Sequence, residues 1–491
     1  MAELSVVLGV TAGVLLVSVL AVRLSVRLGL PSLLLYLGIG LLLGDAGLGI
    51  HFDNARLTQS LGIAALVLIL TEGGLTTRWS VVRPALSLGI LLSTVSVAVS
   101  VAVTGSALHF LLSLDWRSAL LWGAVLSSTD AAAVFSVLRG VGVTSRLAGA
   151  LELESGLNDA PVYLAVVLLT AGGFHAWTPL LVLYELLVGA AIGALIGIAG
   201  AAALRRSALP ATGLYPLATI AMCLLAFACG GLAHASGLLA TYVAGLVLGN
   251  ARLPHRSDTL SFAEGLGWVA QIGLFVLLGL YAAPQRLLSA LIPALIAGAV
   301  LLLLARPLSV LCAAVAVRLP WREQVFLSWA GLRGAVPIVL ALIPLTAGVA
   351  GSTLLVDAVF VLVVVLTLVQ GGTLPVVARL LGLLRGSQPR ELEIDSAPLD
   401  ELGAELLQVR IQQGSRLHGV YLSELRLPTG ATVSLVVRDG IGFTPDPRTR
   451  LRHADQLLVV ATQNVRIGTE NRIRAVDRAG RYARWRGESG E

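Results

Sequence analysis

The 491-residue chain contains no lysine, so all 34 of its basic residues are arginine. Charge of either sign is scarce: 13% of the residues are Asp, Glu or Arg, about half the share of a soluble globular chain. A water-facing surface of ordinary size cannot be built from so few charges. The net charge of +6 does not point to nucleic acid, because the arginines sit in short loops between apolar runs. Cysteine is limited to Cys223, Cys229 and Cys312, all inside apolar stretches. That placement excludes a zinc cluster or a disulfide framework and reads as small buried side chains. A cleavable signal peptide is also excluded, since Glu3 is the one early charge and the run Leu4 to Val22 is too long for an h-region.

What remains is apolar: 56% of the chain is hydrophobic and the mean hydropathy is +0.88. Runs of bilayer-spanning length recur from Leu4 to about Leu381, which predicts an all-α polytopic membrane protein with the lipid bilayer as its partner. Thirteen spans are expected, near 4–22, 31–48, 59–76, 84–111, 117–138, 147–171, 179–203, 213–231, 235–250, 266–283, 288–317, 323–347 and 354–382. The loops after odd spans up to the eleventh carry twelve arginines, from Arg23 and Arg27 to Arg318 and Arg322. Those after even spans carry three: Arg56, Arg117 and Arg286. This asymmetry marks the cytoplasmic side. It predicts an N-terminus outside, a C-terminus in the cytoplasm and residence in the inner (plasma) membrane.

Thirteen spans permit an inverted repeat of spans 1–6 with 8–13, a common plan of secondary transporters. Span 5 then pairs with span 12. Both are interrupted, by Ser127-Ser128-Thr129-Asp130 and by Gly331-Leu332-Arg333-Gly334-Ala335-Val336-Pro337. Broken helices at matching positions of two repeats point to a binding site.

After the membrane unit (1–384), residues 385–400 are polar, contain Pro389 and Pro398, and read as a linker. Residues 401–465 read as a small cytoplasmic α+β domain, with strands at Thr432–Arg438 and Gln456–Ala461 and an Asp439-Gly440 turn. Residues 466–491 hold seven arginines and little apolar material, and read as a disordered tail in reach of anionic lipid.

Ionisable groups inside a bilayer are costly, so each is a functional candidate. They concentrate in Glu152-Leu153-Glu154-Ser155-Gly156-Leu157-Asn158-Asp159 of span 6. At helical spacing Ser155 and Asp159 share one face, and Glu154 and Asn158 the next. A buried carboxylate is neutralised by a proton or by a cation, and competition for Asp159 couples the two fluxes. Hydroxyl and carboxylate oxygens suit a hard monovalent cation such as Na⁺ or K⁺. Asp130 lies in the span-5 interruption, where freed carbonyls bind cations, and Glu72 is a further intramembrane carboxylate late in span 3. Arg333 needs a buried partner, for which Glu154 is the candidate. Arg306-Pro307 reads as a helix bend with Arg306 snorkelling or paired, and Asp357 as an acid at a helix start.

These motifs, in this order, resemble the monovalent cation:proton antiporters of the Asn-Asp (NhaP-type) branch over about residues 1–385. The resemblance implies Asp159 as the shared ligand of proton and cation. Asp130, Ser155, the Thr129 carbonyl and Glu72 would assist, while Asn158, Glu154 and Arg333 form a structural network. It also implies one-for-one electroneutral exchange, crossed broken helices, a homodimer and elevator-like movement of a six-helix core. Ser415-Arg416-Leu417-His418-Gly419, Val437-Arg438-Asp439-Gly440 and Leu451-Arg452-His453-Ala454-Asp455-Gln456-Leu457 are similar to a TrkA C-terminal (RCK-C) domain. That module is typical of potassium systems and tips the expected cation to K⁺ over Na⁺. No Gly-rich dinucleotide fingerprint precedes it. The resemblance leaves room for a small regulatory ligand on 401–465 whose identity the residues do not give, and no other cofactor is expected. A gated K⁺ channel lacks its carbonyl filter motif here, and an intramembrane enzyme lacks a metal-binding His pair or a nucleophile elbow.

Overall fold

The computed structural model describes residues 2–28, 31–44, 47–130, 144–172, 177–383, 394–399, 404–412, 414–462 and 464–480. The chain forms two compact units, Met1–Leu384 and Arg385–Glu491.

The first unit is helical. Its helices are α1 (Ala2–Leu28), α2 (Ser32–Leu43), α3 (Ala55–Thr76), α4 (Trp79–Leu112), α5 (Trp116–Ser127), α6 (Ser145–Ala171) and α7 (Thr178–Arg206). They continue as α8 (Leu214–Leu232), α9 (Gly237–Asn250), α10 (Arg256–Tyr281), α11 (Pro284–Val317), α12 (Trp321–Trp329), α13 (Ala335–Thr346) and α14 (Ser352–Leu380). Polar residues start several of them: Asn54, Asp115 and Ser236 each accept a backbone N–H of the first turn. Gly172 and Gly351 take the left-handed conformation at helix ends. Helical segments fall in every interval drawn from the sequence, with the tenth starting at Arg256 instead of 266. Residues 131–138 of the fifth lie outside the described residues. Among the described residues, α3, α4, α7, α8, α10, α11 and α14 are long and apolar enough to cross a membrane by length and composition.

Helices α2, α3 and α7 to α10 pack on one another, and α4, α5, α6 and α11 to α14 form a second bundle. Glycine sets the closest approaches. A Cβ at Gly249 of α9 would lie 2.1 Å from the Leu75 carbonyl oxygen of α3, and one at Gly40 of α2 would lie 2.2 Å from that of Val276 on α10. Only a residue without a side chain lets two backbones come so near.

α11 carries a π-helical turn, Leu301–Ala305, directly before Arg306-Pro307. Pro307 has no N–H to continue the helical ladder, and the widened turn accommodates it. The turn aims Arg306 inward, where it is 5% exposed, so it does not snorkel.

The second unit is a five-stranded antiparallel sheet in the order β1-β2-β5-β3-β4: β1 (Ile394–Leu399), β2 (Ala404–Arg410), β3 (Ala431–Arg438), β4 (Ile441–Phe443) and β5 (Gln456–Thr462). Asp439 and Gly440 both have positive φ, 51° and 81°, the geometry of a tight hairpin turn between β3 and β4. A one-turn helix, α15 (Leu422–Leu425), and α16 (Arg466–Ala479) complete the unit. Arg438 reaches both carboxylate oxygens of the fully buried Asp455 at 2.8 Å.

Two expectations are corrected here. The interval 385–400 is not all linker, since Ile394–Leu399 pairs with Ala404–Val409. Pro398 is tolerated because β1 is an edge strand. Nor is 466–491 wholly a disordered tail. Residues 466–479 are helical, and Ile473 and Val476 join Leu407, Leu457 and Val459 in the core. The arginines hide that stripe in a composition count: Arg472 donates to the Leu425 carbonyl at 2.9 Å, and Arg474 pairs with Glu470 one turn back. Residues 481–491 lie outside the described residues.

Two predictions follow from α16. Ile473→Ala should destabilise the second unit by about 2–4 kcal/mol, the cost of emptying a core site. Faster hydrogen exchange of β2 and β5 amides in the full chain would show it; a wholly disordered tail would give no change. Asp477 accepts the Ser415 hydroxyl, yet burial holds its carboxyl above the usual range. The unfolded chain, with an ordinary carboxyl near about pH 3.9, then releases this proton first. Stability therefore falls as pH rises from there through the folded-state ionisation. Asp477→Asn should remove that component from a melting-temperature series against pH.

Candidate functional site

The two interrupted segments meet. α5 ends at Ser127 and the chain runs extended through Ser128 to Asp130, while α12 and α13 are separated by Ala330–Gly334. The Asp130 N–H donates to the Leu332 carbonyl at 2.9 Å, and Arg333 donates to the Ser128 carbonyl. The crossing is tight, because a Cβ at Gly334 would overlap Asp130 Oδ2 at 1.7 Å.

α6 runs alongside this crossing and supplies the polar stripe. Asp159 is 4% exposed and accepts the Ser128 hydroxyl on Oδ1 at 2.9 Å. The Ser155 hydroxyl donates to the Thr129 carbonyl at 3.0 Å, and the Asn158 amide donates to the Thr129 hydroxyl at 2.6 Å. The amide donates this bond without placing a second charge beside Asp159.

A cavity of about 260 Å³ opens over the stripe. Asp159, Asp130 and Ser155 line it, as does Glu72 from α3. Five of the expected residues, Asp159, Asp130, Ser155, Thr129 and Asn158, are thus brought together, with Glu72 across the same cavity. Two further carboxylates also line it: Glu152 on α6, named above as part of the span-6 cluster but given no role, and Glu264 on α10, which the sequence did not point to. Glu152 stands three residues before Ser155, so the same helical spacing that joined Ser155 to Asp159 reaches back to it.

Glu154 and Arg333 depart from expectation. Glu154 is 1% exposed and pairs with Arg306, whose two terminal nitrogens address its two oxygens, one at 2.9 Å. The same guanidinium donates to the Leu327 carbonyl at 3.2 Å. Arg333 instead uses its charge on the Ser128 carbonyl, a partner that becomes available because α5 has ended. The sequence signal for Arg306 was an arginine next to proline inside an apolar run, a position where the bend turns the side chain inward. Ser128 was visible as part of the interruption, but nothing in the spacing says that its hydroxyl reaches Asp159.

Breaking a buried ion pair by removing one partner strands the other charge and costs about 3–5 kcal/mol. Arg306→Gln should lower the thermal stability of the detergent-purified protein by an amount on that scale, and the double variant Glu154→Gln/Arg306→Gln should recover part of it. If Arg333 were instead the principal partner of Glu154, the single Arg306 variant would be nearly silent.

The chain is also similar to known proteins. Residues 13–380 match the family model described as sodium/hydrogen exchanger, transmembrane, and residues 406–474 match the TrkA-C domain. The chain is 38% identical over 458 residues to the K(+)/H(+) antiporter NhaP of Alkalimonas amylolytica, a match covering 91% of this chain and 79% of that one. It is 36% identical over 459 residues to the K(+)/H(+) antiporter NhaP2 of Shewanella sp. (strain MR-4), with the same coverage of 91% and 79%. In fold it is similar to the sodium proton antiporter MjNhaP1 from Methanocaldococcus jannaschii at pH 8, with a TM-score of 0.66 at 21% identity, covering 77% of this chain and 100% of that one.

Proposed function

The chain belongs to the transmembrane sodium/hydrogen exchanger family, and on that premise we propose that it exchanges K⁺ for H⁺ by alternating access, with both ions competing for Asp159. The observation that carries this reading is the position of Asp159. It is buried at the crossing of two interrupted helices, holds a hydroxyl hydrogen bond and faces a cavity of ion-admitting size. A carboxylate so placed cannot stay charged and unpartnered. A proton neutralises it in one state and a cation in the other, so each ion displaces the other.

Ser155, the Thr129 carbonyl and Asp130 complete an oxygen shell around that cation. Glu72 stands on its approach route across the cavity. Asn158 keeps the neighbouring position neutral, which fits one proton exchanged for one cation. Glu154 and Arg333, with Arg306, hold the frame.

K⁺ is preferred because the relatives at 38% and 36% identity bear the name K(+)/H(+) antiporter and the TrkA-C match accompanies them. Na⁺ is the second reading, favoured by the family model's description and by the name of the structural neighbour. The finer architecture belongs to the same proposal. It comprises thirteen crossings in inverted repeats, an outer N-terminus and a cytoplasmic C-terminus in the plasma membrane. It also comprises a homodimer, and a 401–465 domain that takes a small regulatory ligand.

Proteoliposomes with a trapped pH dye test the proposal. K⁺ added outside should drive proton movement, more strongly than Na⁺. Asp159→Asn should reduce it roughly a hundredfold or more, the scale of losing a positioned proton-transfer group. Exchange that survives in the variant would move the site away from Asp159, and a stronger response to Na⁺ would select the second reading.

A further inference from the structure

The junction between α3 and α4 is one place where the chain passes from one bundle to the other, and it is two residues long: Thr76 closes α3, Thr77 and Arg78 follow, and Trp79 opens α4. It is clasped from two sides. Asn250, the last residue of α9, donates its amide to the Thr77 carbonyl at 2.8 Å and accepts the Trp79 N–H at 2.8 Å. Asn250 therefore pins the junction to the α3–α9 bundle. From the other bundle, Glu152 of α6 meets the Thr77 hydroxyl at 2.6 Å.

The Thr77 hydroxyl has one hydrogen and two close neighbours, Glu152 Oε1 at 2.6 Å and the Gly73 carbonyl at 2.7 Å. If Glu152 is ionised both neighbours are acceptors, and one contact has no proton. If Glu152 is protonated, its O–H donates to Thr77 and the Thr77 O–H donates to Gly73, so both contacts are satisfied. Both contacts, at 2.6 and 2.7 Å, can be made at once only when Glu152 carries a proton; an ionised Glu152 competes with the Gly73 carbonyl for the one Thr77 hydrogen. Its ionised form loses one of the two bonds, and the cavity that Glu152 lines offers the charged group a wetter place.

We propose that Glu152 is a positioning residue of the exchange cycle: as an acid it ties the site helix α6 to the α3–α4 junction through Thr77, and ion exchange requires that tie to open. The inference rests on the antiport reading. The other groups facing this corner are Arg78 at the junction, Tyr242 of α9, whose hydroxyl is 3.5 Å from that of Thr77, Glu72 of α3 and Glu264 of α10. Asp159 and Asp130 lie further along the same cavity. Because Glu152 is two helical turns from Asp159 on the same face of α6, opening the tie frees the helix that carries the exchanging carboxylate without touching the ion.

K⁺-driven proton exchange in proteoliposomes, measured across a pH series, tests the tie. Thr77→Val and Glu152→Ala remove it and should move the half-maximal pH downward by about one unit, the width of a single titration. Glu152→Gln keeps a donor for Thr77 and cannot ionise. It should hold the tie, lowering the maximal rate and flattening the alkaline limb. Parallel rate losses in all three variants with an unshifted pH profile would reduce Glu152 to a structural part and overturn the proposal. A second readout needs no transport. Hydrogen exchange of the junction amides, residues 77–82, should rise in Thr77→Val and Glu152→Ala but not in Glu152→Gln, and identical protection in all would also overturn it. Wild type active with Asp159→Asn inactive keeps the antiport reading standing whatever the tie does. Absent exchange in wild type would fail that reading, with amide protection still deciding the tie.

Discussion

A helix that stops inside a bilayer leaves backbone groups with no water to bond, and the first unit depends on how that problem is solved. Two stops are placed against each other. The Leu332 carbonyl takes the Asp130 N–H, and the Ser128 carbonyl takes the Arg333 guanidinium. Four further carbonyls are met by side chains from neighbouring helices: Thr129 by Ser155, Leu327 by Arg306, Trp329 by Gln370 and Arg333 by Thr367. Each interrupted segment is intelligible only with the other present. Gly334 is required because the crossing leaves no room for a Cβ beside Asp130.

The charges around the crossing divide into two kinds. Glu154 and Arg306 neutralise each other deep in the bundle and have no access to the cavity; they are fixed. Among the described residues Asp159 has a single hydroxyl partner, and it faces the cavity. On the proposed reading a mobile proton or cation neutralises Asp159, whereas for Glu154 the guanidinium is already in place. α6 carries a locked carboxylate, Glu154, and a cavity-facing one, Asp159, five residues apart, on different faces, and the face decides which is which.

Much of this was legible from residues. The polar interruptions and the Ser155–Asp159 stripe are local patterns, and local patterns survive in a sequence. Hydrogen-bond partners across the bundle do not. Arg306 and Glu154 are 152 residues apart, and choosing between Arg306 and Arg333 needs the direction imposed by the π turn at Leu301–Ala305. The second unit failed differently. Composition averaged the arginines of α16 with its buried face, so Ile473 and Val476 were lost in the count. A proline in Ile394–Leu399 read as linker because edge position is a property of the sheet and not of the strand.

A carboxylate that exchanges ions must also change the side it faces, and the contacts between the bundles are of a kind that permits this. Within the bundles, glycines such as Gly249 and Gly123 meet backbone atoms, against Leu75 and Val101, and a backbone does not rearrange locally. At the boundary Gly62 of α3 faces the Val339 side chain of α13 and Gly156 of α6 faces the ring of Tyr242 on α9, side-chain contacts of a kind also found within the bundles, as at Gly89 against Leu153. A ring or a valine resting on a bare helix surface repacks at little cost when one helix slides along the other. The backbone-locked contacts keep each bundle rigid meanwhile. Polar contacts at that boundary, Thr346 of α13 with Gln59 of α3 and Glu152 with Thr77 beside the short α3–α4 junction, are where such a slide is held or released, and of these Glu152 is the one that can ionise.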